Sequence, residues 1–446
     1  MDTLQIYRKN IEIPNLDAFR FLFMLFIPVF LMRFNTGLDI LCTLFIIFIL
    51  FQLDLKQLFQ AFIFLHLFEE SIYIGSTSSV SILIFCPLIA ARLFSLFLQK
   101  KMYLRKKHLI ILGFYLVSLL TALLSGTLER SSLVIFMNVL IILMFSITLK
   151  HEYSAREIFE TMIRTLLICT TLIIVYGFAR FRFYNEARDG IRIPRFMGTY
   201  EPNYTAIYMN MGILSALHLK KELGKPLANA LILVHFAALV LTQSTTGIVT
   251  LFAVLFIKIL RYFIRLFRAF HTSLMNKSEK ERRITTTLYG SLLLILIISA
   301  FGGLYAAGLM NKIIGVLGKI FSGNFDSATS GRIPIMRSFL RNFFYKGNIN
   351  VLFGNGPQAF RIYTGYFKKF MYSHNTYVDL LYSFGLIGGV IAVLSALVIL
   401  FRGRFLDENL SGQQKKTLFL MRLMLLIFAA GLAIHAENLT MWMFFL

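Results

Sequence analysis

Two kinds of side chain in this sequence could do chemistry: groups that transfer a proton and arginines that bind an anion. His374 stands directly before a long apolar run, so it is expected where a helix begins, with Ser373 as a possible cap. Unpaired amide N–H groups make a helix start positive, which disfavours imidazolium and keeps the ring neutral. A neutral imidazole can accept a proton from a hydroxyl group. The alternative is an interfacial histidine that only hydrogen-bonds a loop carbonyl.

Arginines are concentrated in two stretches between apolar runs. Five arginines fall between Arg180 and Arg195, and further cations, Arg332 among them, fall between residues 307 and 373. A planar guanidinium binds phosphate oxygens bidentately and stays charged. Phosphate binding by at least one arginine of each stretch is therefore predicted. For any single arginine, anchoring to lipid head groups is the alternative.

Glu201 is the carboxylate best placed to act with these groups, because it is close in sequence to Arg195. It could serve as a base or as the partner of an arginine. The sequence shows no phosphate-binding glycine loop, no paired metal-binding carboxylates and no zinc spacing. The three cysteines lie inside apolar runs, which argues against a disulfide framework or a metal site. No metal and no cofactor is therefore expected.

Apolar helices must position these groups. Hydrophobic residues make up 57% of the chain and charged residues 15%, whereas soluble globular chains have about 45–50% and roughly 25%. Lipid is therefore the expected solvent, and continuously apolar runs exclude the alternating strands of an outer-membrane barrel. The formal net charge of +23 is spread over loops that border these runs, so membrane lipids are expected partners and nucleic acid is not.

Apolar runs of about 17–20 residues, long enough to cross a bilayer as helices, recur along the whole chain. They predict an all-α polytopic membrane protein, a single domain over residues 1–446, with about 12–14 transmembrane helices. The predicted spans lie near residues 19–33, 37–53, 58–74, 78–98, 109–125, 131–149, 161–179, 203–219, 227–243, 246–262, 285–306, 374–400 and 418–437.

Lysine and arginine set the predicted orientation, since cytoplasmic loops are enriched in them. With the N-terminus inside, the basic stretches Lys100–Lys107, Lys220–Lys225 and Arg261–Arg283 all fall inside. Two cationic stretches then fall outside: an Arg-rich loop at 180–202 and a large loop at 307–373. Two cationic outer loops favour one anionic ligand that is bound outside the cytoplasm.

The large loop carries the pattern of a short amphipathic helix. Ser330 can cap a helix that starts at Pro334, a residue suited to the first helical turn. Its cations Arg337 and Arg341 then share one face. The opposite face is apolar and consists of Ile335, Met336, Phe339, Leu340 and Phe343. Such a helix is expected to lie along the membrane surface with its cations exposed.

Four stretches share their order and spacing with a known family. They are Arg195-Phe196-Met197-Gly198-Thr199-Tyr200-Glu201-Pro202-Asn203, Ser330-Gly331-Arg332, Phe353-Gly354-Asn355-Gly356-Pro357-Gln358-Ala359-Phe360, and His374-Asn375-Thr376-Tyr377 followed by Phe384-Gly385-Leu386-Ile387-Gly388. On these residues the chain resembles the bacterial O-antigen ligase and O-antigen polymerase membrane proteins. The resemblance implies a GT-C-like helical fold with a large extracytoplasmic loop.

The resemblance also implies a reaction: metal-independent, inverting transfer of a glycan from an undecaprenyl-diphosphate-linked donor to an acceptor sugar hydroxyl. Arg332 and Arg195 match arginines that hold the diphosphate, and His374 matches the general base. Glu201 is a further catalytic candidate. Substrate contacts are expected from residues of the same motifs, namely Asn203, Asn375 and Tyr377.

The chain departs from the family at one turn. Family members often carry Ser-Arg between two spans where this chain has Ser244-Thr245-Thr246-Gly247. That removes one expected phosphate contact, so Arg192 or Arg337 is expected to take its place. A diphosphate is already a good leaving group, and arginines can neutralise its developing charge without a metal ion.

Three functions stay open at this point. A polymerase of O-antigen or capsular polysaccharide must manage two diphosphates, which the many outer cations favour, whereas an O-antigen ligase accepts on a lipid-anchored core sugar. A lipid-linked oligosaccharide flippase or transporter would line its path with charges near the bilayer midplane. The expected location is the bacterial cytoplasmic (inner) membrane, multi-pass, with the active site outside. A flippase and a chain-length regulator of the same pathway are expected partners.

Overall fold

The computed structural model describes residues 14–34, 36–68, 80–99, 130–188, 191–199, 201–257, 332–345, 347–355, 362–364, 369–371, 373–406 and 410–431, with single residues and short pieces elsewhere. These residues are mostly helical, and two short hairpins interrupt the helices. The predicted all-α character is therefore confirmed for the described part of the chain. Tyr200, Ser330, Gly331 and residues 356–360 of the motifs lie outside it.

Most helices of the described residues follow the predicted apolar runs, whereas both hairpins and two of the helices lie in the two predicted outer loops. The helices are α1 (Pro14–Leu31), α2 (Thr36–Phe51), α3 (Leu55–Leu67), α4 (Val80–Leu98), α5 (Arg130–Glu152), α6 (Ala155–Ala179), α7 (Pro202–His218), α8 (Lys220–Leu223), α9 (Lys225–Thr242), α10 (Thr245–Ile257), α11 (Arg332–Tyr345), α12 (Asn348–Phe353), α13 (Thr376–Leu406) and α14 (Gly412–Gly431). The antiparallel hairpins are β1 (Phe183–Arg188) with β2 (Ile191–Phe196), and β3 (Ile362–Thr364) with β4 (Lys369–Met371). Two predicted spans, 109–125 and 285–306, lie largely outside the described residues.

Two helices of the described chain are long and apolar enough to cross a membrane: α6, of 25 residues, and α9, of 18 residues. Several other helices are apolar but shorter, such as α2, α3 and α10. Helix α3 ends at Leu67, earlier than the predicted run 58–74. The helices therefore agree with the predicted runs in position, and some of them are shorter than predicted.

Helix α7 forms the centre of the core. It is buried along most of its length and packs against α6, α9 and α14. One continuous cluster of buried apolar side chains extends from Leu22 on α1 to Met424 on α14. Gln414, near the start of α14, donates to Glu160 Oε1 on α6 over 2.6 Å. Farther along α14, the carbonyl of Leu426 accepts a hydrogen bond from the hydroxyl of Tyr377 on α13, at 2.8 Å. Helix α14 therefore connects the core to the start of α13.

The helix predicted in the large loop exists, but it begins at Arg332 rather than at Pro334. The side chains of Ile335, Phe339 and Phe343 are buried, and they form a second small core with Tyr382 of α13. Three side chains of the apolar face therefore pack against protein, whereas Met336 and Leu340 are only partly buried. The position of this helix along the membrane surface stays a prediction. The predicted exposure of Arg337 and Arg341 on the opposite face is confirmed.

Helix α13 is broken after its first turns. Gly385 has φ 68°, which lies in the left-handed region, and this divides α13 into a short first segment and a longer second one. Gly354, with φ 88°, ends α12 against the same point. The backbone of Asn355 donates to the carbonyl of Tyr382 over 2.9 Å. Two of the motifs noted in the sequence therefore meet backbone to backbone, which requires glycine on both sides.

We expect Gly385→Ala to destabilise the protein by at least about 2 kcal/mol. A methyl group at Gly385 would lie 2.5 Å from the amide nitrogen of Gly354 and closer still to the carbonyl oxygen of Leu352, at a φ that disfavours alanine. The measurement is the thermal unfolding midpoint of the purified protein in detergent. Gly412→Ala is the matched control, because nothing lies within 4 Å of a methyl group there. Equal Tm values for both variants would contradict the tight approach.

Candidate functional site

Arg332 and His374 are brought together by two helices that run side by side in the same direction. The ring of Phe339 on α11 lies 5.1 Å from the ring of Tyr382 on α13, and the ring of Phe343, one turn later, lies 6.4 Å from it. Arg332 is the first residue of α11, and His374 lies two residues before α13. Arg332 is close enough to His374 for its charge to lower the pKa of that residue, whereas the ring contacts lie about two turns later on both helices. The two helix starts therefore face the same end of the pair, each with its positive dipole pole and unpaired N–H groups.

The electrostatics of this corner keep His374 neutral. Burial lowers the pKa of His374 below its ordinary value, and the positive charge of Arg332 lowers it further. The sequence-based expectation of a neutral imidazole agrees with this direction, although burial contributes more than any neighbouring charge. Arg332 itself is half-buried, and that burial lowers the pKa of its guanidinium. An arginine stays charged under such conditions, so the corner holds one fixed cation beside one neutral base.

The backbone of His374 is in the left-handed region, with φ 55°. Only a few per cent of residues other than glycine adopt this conformation, which costs about 1–3 kcal/mol, and it persists where the surroundings over-determine it. Both neighbours of His374 are held: Ser373 is fully buried, and its hydroxyl accepts a hydrogen bond from the N–H of Asn375 over 2.9 Å. Such strain clusters at functional sites.

Asn375, and not Ser373, caps α13. The Asn375 Oδ1 atom accepts from the backbone N–H of Tyr377 at 3.0 Å and of Val378 at 3.2 Å. This is the hydrogen-bonding role of an N-cap residue, so the sequence-based suggestion of Ser373 as the cap is wrong. Two predicted substrate contacts, Asn375 and Tyr377, thus have structural partners in this loop. Their contact with a substrate stays a prediction.

Arg195 lies in a different setting from Arg332. It is on β2, only 8% exposed, and its Nε donates to the carbonyl of Thr242 at the C-terminal end of α9 over 2.9 Å. A terminal nitrogen donates to Asn203 Oδ1 on α7 over 3.2 Å. A cation at a helix C-terminus is electrostatically favourable. Arg195 therefore ties the first hairpin to the ends of two core helices, which leaves diphosphate binding by this residue, and substrate contact by Asn203, as predictions.

The turn that departs from the family pattern is a capped helix start. The hydroxyl of Ser244 accepts from the N–H of Gly247 over 3.2 Å, and the hydroxyl of Thr242 accepts from the N–H of Ser244 over 3.2 Å. Ser244 is buried. Side-chain oxygens therefore satisfy amides at the beginning of α10.

The remaining predicted residues, Glu201, Arg337 and Arg192, lie at other positions of the described chain. Glu201 is exposed at the N-cap position of α7, and its carboxylate does not cap that helix. Arg337 is exposed on α11. Arg192 pairs with Ala187 in the first hairpin, and its side chain lies outside the described residues. The structure thus groups Arg332, His374 and Asn375 at one corner.

One residue at this corner was missed by the sequence reasoning. Asp379, on the first segment of α13, hydrogen-bonds through its carboxylate to both the backbone and the side chain of Ser373. A signal was present in the sequence, because Asp379 is the single acidic residue between Asp326 and Asp407 and lies in an apolar run. An ionisable side chain in such a run is a functional candidate by default.

Comparison with known proteins adds no relative: no family model matches the chain, and no curated protein or solved structure matches it either. The likeness to the O-antigen ligases and polymerases therefore stays a prediction that is carried by the motifs around Arg195, Arg332 and His374.

Proposed function

We propose that the chain is a membrane glycosyltransferase that polymerises undecaprenyl-diphosphate-linked repeat units on the outer face of the cytoplasmic membrane. The observation that carries the proposal is the pairing of His374, whose pKa is lowered, with the half-buried Arg332 at two helix starts that face the same end. A neutral base and a fixed cation that interact electrostatically suit a reaction in which a hydroxyl is deprotonated while a phosphate leaves.

The reaction balances with the groups at this corner. The hydroxyl oxygen of the acceptor sugar attacks the anomeric carbon of the donor, and the bond from that carbon to the diphosphate oxygen breaks with inversion. His374 takes the hydroxyl proton, and Arg332, with the positive ends of α11 and α13, neutralises the charge that develops on the leaving diphosphate. The product is a longer glycan on one lipid and a free lipid diphosphate.

A membrane setting is supported by the composition and by two helices with the length and apolarity of spans. In this proposal the loops at 180–202 and 307–373 face outside, because the loops assigned inside carry most of the other cations. A polymerase is favoured over a ligase because two cationic outer loops can hold the two diphosphates of donor and acceptor.

The polymer profile of a deletion strain, complemented with the wild-type chain, tests this function. We expect a strain without the chain to lose the ladder of polymer lengths on a gel and to keep single repeat units. Loss of all surface attachment, with lipid-linked polymer accumulating, would instead identify a ligase. Accumulation of unpolymerised donor that is accessible only from the cytoplasmic side would identify a flippase, and an unchanged profile would overturn the whole assignment.

A further inference from the structure

The carboxylate of Asp379 lies beneath the loop that presents His374. Asp379 is one helical turn beyond the cap of α13, and its N–H donates to the carbonyl of Asn375 over 3.0 Å. Its carboxylate accepts hydrogen bonds from both the backbone and the side chain of Ser373. A single carboxylate therefore reaches back across the helix start and holds the residue that precedes His374.

Ser373 and Asn375, the two neighbours of His374, are also hydrogen-bonded to each other. The Ser373 hydroxyl oxygen lies 2.7 Å from the carbonyl oxygen of Asn375 and 2.9 Å from its amide nitrogen. The hydroxyl has one proton, so its donation is shared between that carbonyl and Asp379. Both neighbours of His374 are thus connected to each other and to Asp379. The left-handed backbone of His374, with φ 55°, lies inside this closed set of bonds.

The second oxygen of Asp379 distinguishes it from an ordinary helix-start carboxylate. Its Oδ1 atom is buried and accepts no hydrogen bond within the described part of the chain. An unsatisfied buried acceptor is costly, and in a native structure it calls for an explanation beyond packing. An apolar side chain at the same place would avoid that cost, so stability alone does not account for an aspartate here.

We propose that Asp379 is the positioning residue for His374: by fixing Ser373, it holds the backbone of His374 in the left-handed conformation that aims the imidazole at the acceptor hydroxyl. This inference rests on the proposed function, in which His374 is the base. Asp379 acts through Ser373 and the backbone. Displacing a catalytic group by about 1 Å can cost about 10²-fold in rate even when binding is intact.

Asp379→Leu and Asp379→Asn together test the proposal in the purified full-length protein, assayed with a lipid-diphosphate-linked oligosaccharide. Leucine keeps a side chain of similar size but accepts no hydrogen bond, so kcat should fall about 10–100-fold while KM for the donor changes less than about twofold. Asparagine retains an oxygen that can accept from Ser373, so kcat should stay within about threefold of wild type. A wild-type kcat for Asp379→Leu would overturn the proposal.

A second readout does not depend on activity. Diethyl pyrocarbonate modifies neutral imidazoles, and mass spectrometry can follow its rate at His374, with the exposed His151 as an internal reference. Release of the loop in Asp379→Leu should raise the relative rate at His374, whereas Asp379→Asn should leave it unchanged. An equal rate in all three proteins would also overturn the proposal.

Two outcomes separate this inference from the function on which it rests. If His374→Gln is inactive while Asp379→Leu is fully active, the positioning role fails and the base survives. If both variants are fully active, the proposed function fails at His374.

Should Asp379→Leu not yield monodisperse protein, Ser373→Ala removes one of the same bonds. A lower kcat with a faster modification of His374 supports the proposal, and wild-type values of both overturn it.

Discussion

Replacing His374 with glutamine is expected to lower kcat by a factor of about 10²–10⁴, which is the usual contribution of a positioned acid–base group. Glutamine keeps a hydrogen-bonding side chain but is not a useful base near neutral pH. His374 lies beside Arg332, and its pKa is lowered, so its ring is neutral and able to accept a proton at working pH. The measurement is the rate of glycan transfer by purified protein, with donor binding followed separately.

The conformation of His374 requires a second variant. Because its φ of 55° disfavours most side chains, a loss in the glutamine variant could come from a changed loop. His374→Asn controls for this, since asparagine tolerates the left-handed region well, and it should be as inactive as the glutamine variant. The exposed His151→Gln should keep full activity. Wild-type turnover by both His374 variants would make the histidine structural and make Glu201 the next candidate base.

The same histidine predicts the direction of the pH dependence. The acid limb of kcat/KM reports the base of the free enzyme, and burial together with Arg332 places its midpoint below the ordinary value of about 6.5. Between the folded and the unfolded pKa of His374, the unfolded chain binds a proton that the folded protein does not. The contribution of neutral His374 to the free energy of unfolding is therefore fully present above about pH 6.5 and is lost as the pH falls towards the folded pKa.

Arg332→Lys is expected to retain less than about a tenth of the wild-type activity, a loss of at least about 1.4 kcal/mol in transition-state stabilisation. Lysine keeps the charge but loses the bidentate fork that matches phosphate oxygens. The half-buried position of Arg332 at the start of α11 makes that geometry matter more than it would on an open surface. The measurement is kcat/KM with the lipid-linked donor.

Two further variants separate geometry from charge. Arg341→Lys, exposed on the same helix, is the matched control and should behave as wild type. Arg332→Ala removes the charge that lowers the pKa of His374. The acid limb of the pH profile of its residual activity should therefore move to higher pH. Arg332→Lys keeps the charge and should leave the acid limb in place. Normal polymer from Arg332→Ala at normal protein levels would remove Arg332 from the mechanism.

The positions of the helices could be predicted from the sequence because they depend on local properties. A continuous apolar run buries its backbone polar groups only as a helix in an apolar setting, and α2, α7 and α9 lie where such runs are found. The stretch around His374 was also recognisable, because a polar turn directly before an apolar run marks a helix start. The end of α3 and the start of α11 were predicted less accurately, because packing with distant residues decides where a helix begins and ends.

The roles of the arginines depended on the tertiary structure. Arg195 and Arg332 look alike in the sequence, yet Arg195 is buried against carbonyl and amide oxygens of α9 and α7, whereas Arg332 lies close enough to His374 to change its pKa. Thr242 is 47 positions from Arg195, His374 is similarly far from Arg332, and the hydropathy pattern contains no information about either pairing.

The sequence by itself determined that this chain is helical and apolar, with cationic stretches and one histidine at a helix start. Tertiary structure alone decided that α11 and α13 run in the same direction, so that their positive ends meet beside Arg332 and His374. It also decided that Asn375 caps α13 and that Asp379 holds Ser373. The physical reason is that hydropathy is a property of each segment, whereas hydrogen bonds and helix direction arise only when segments distant in the chain pack together.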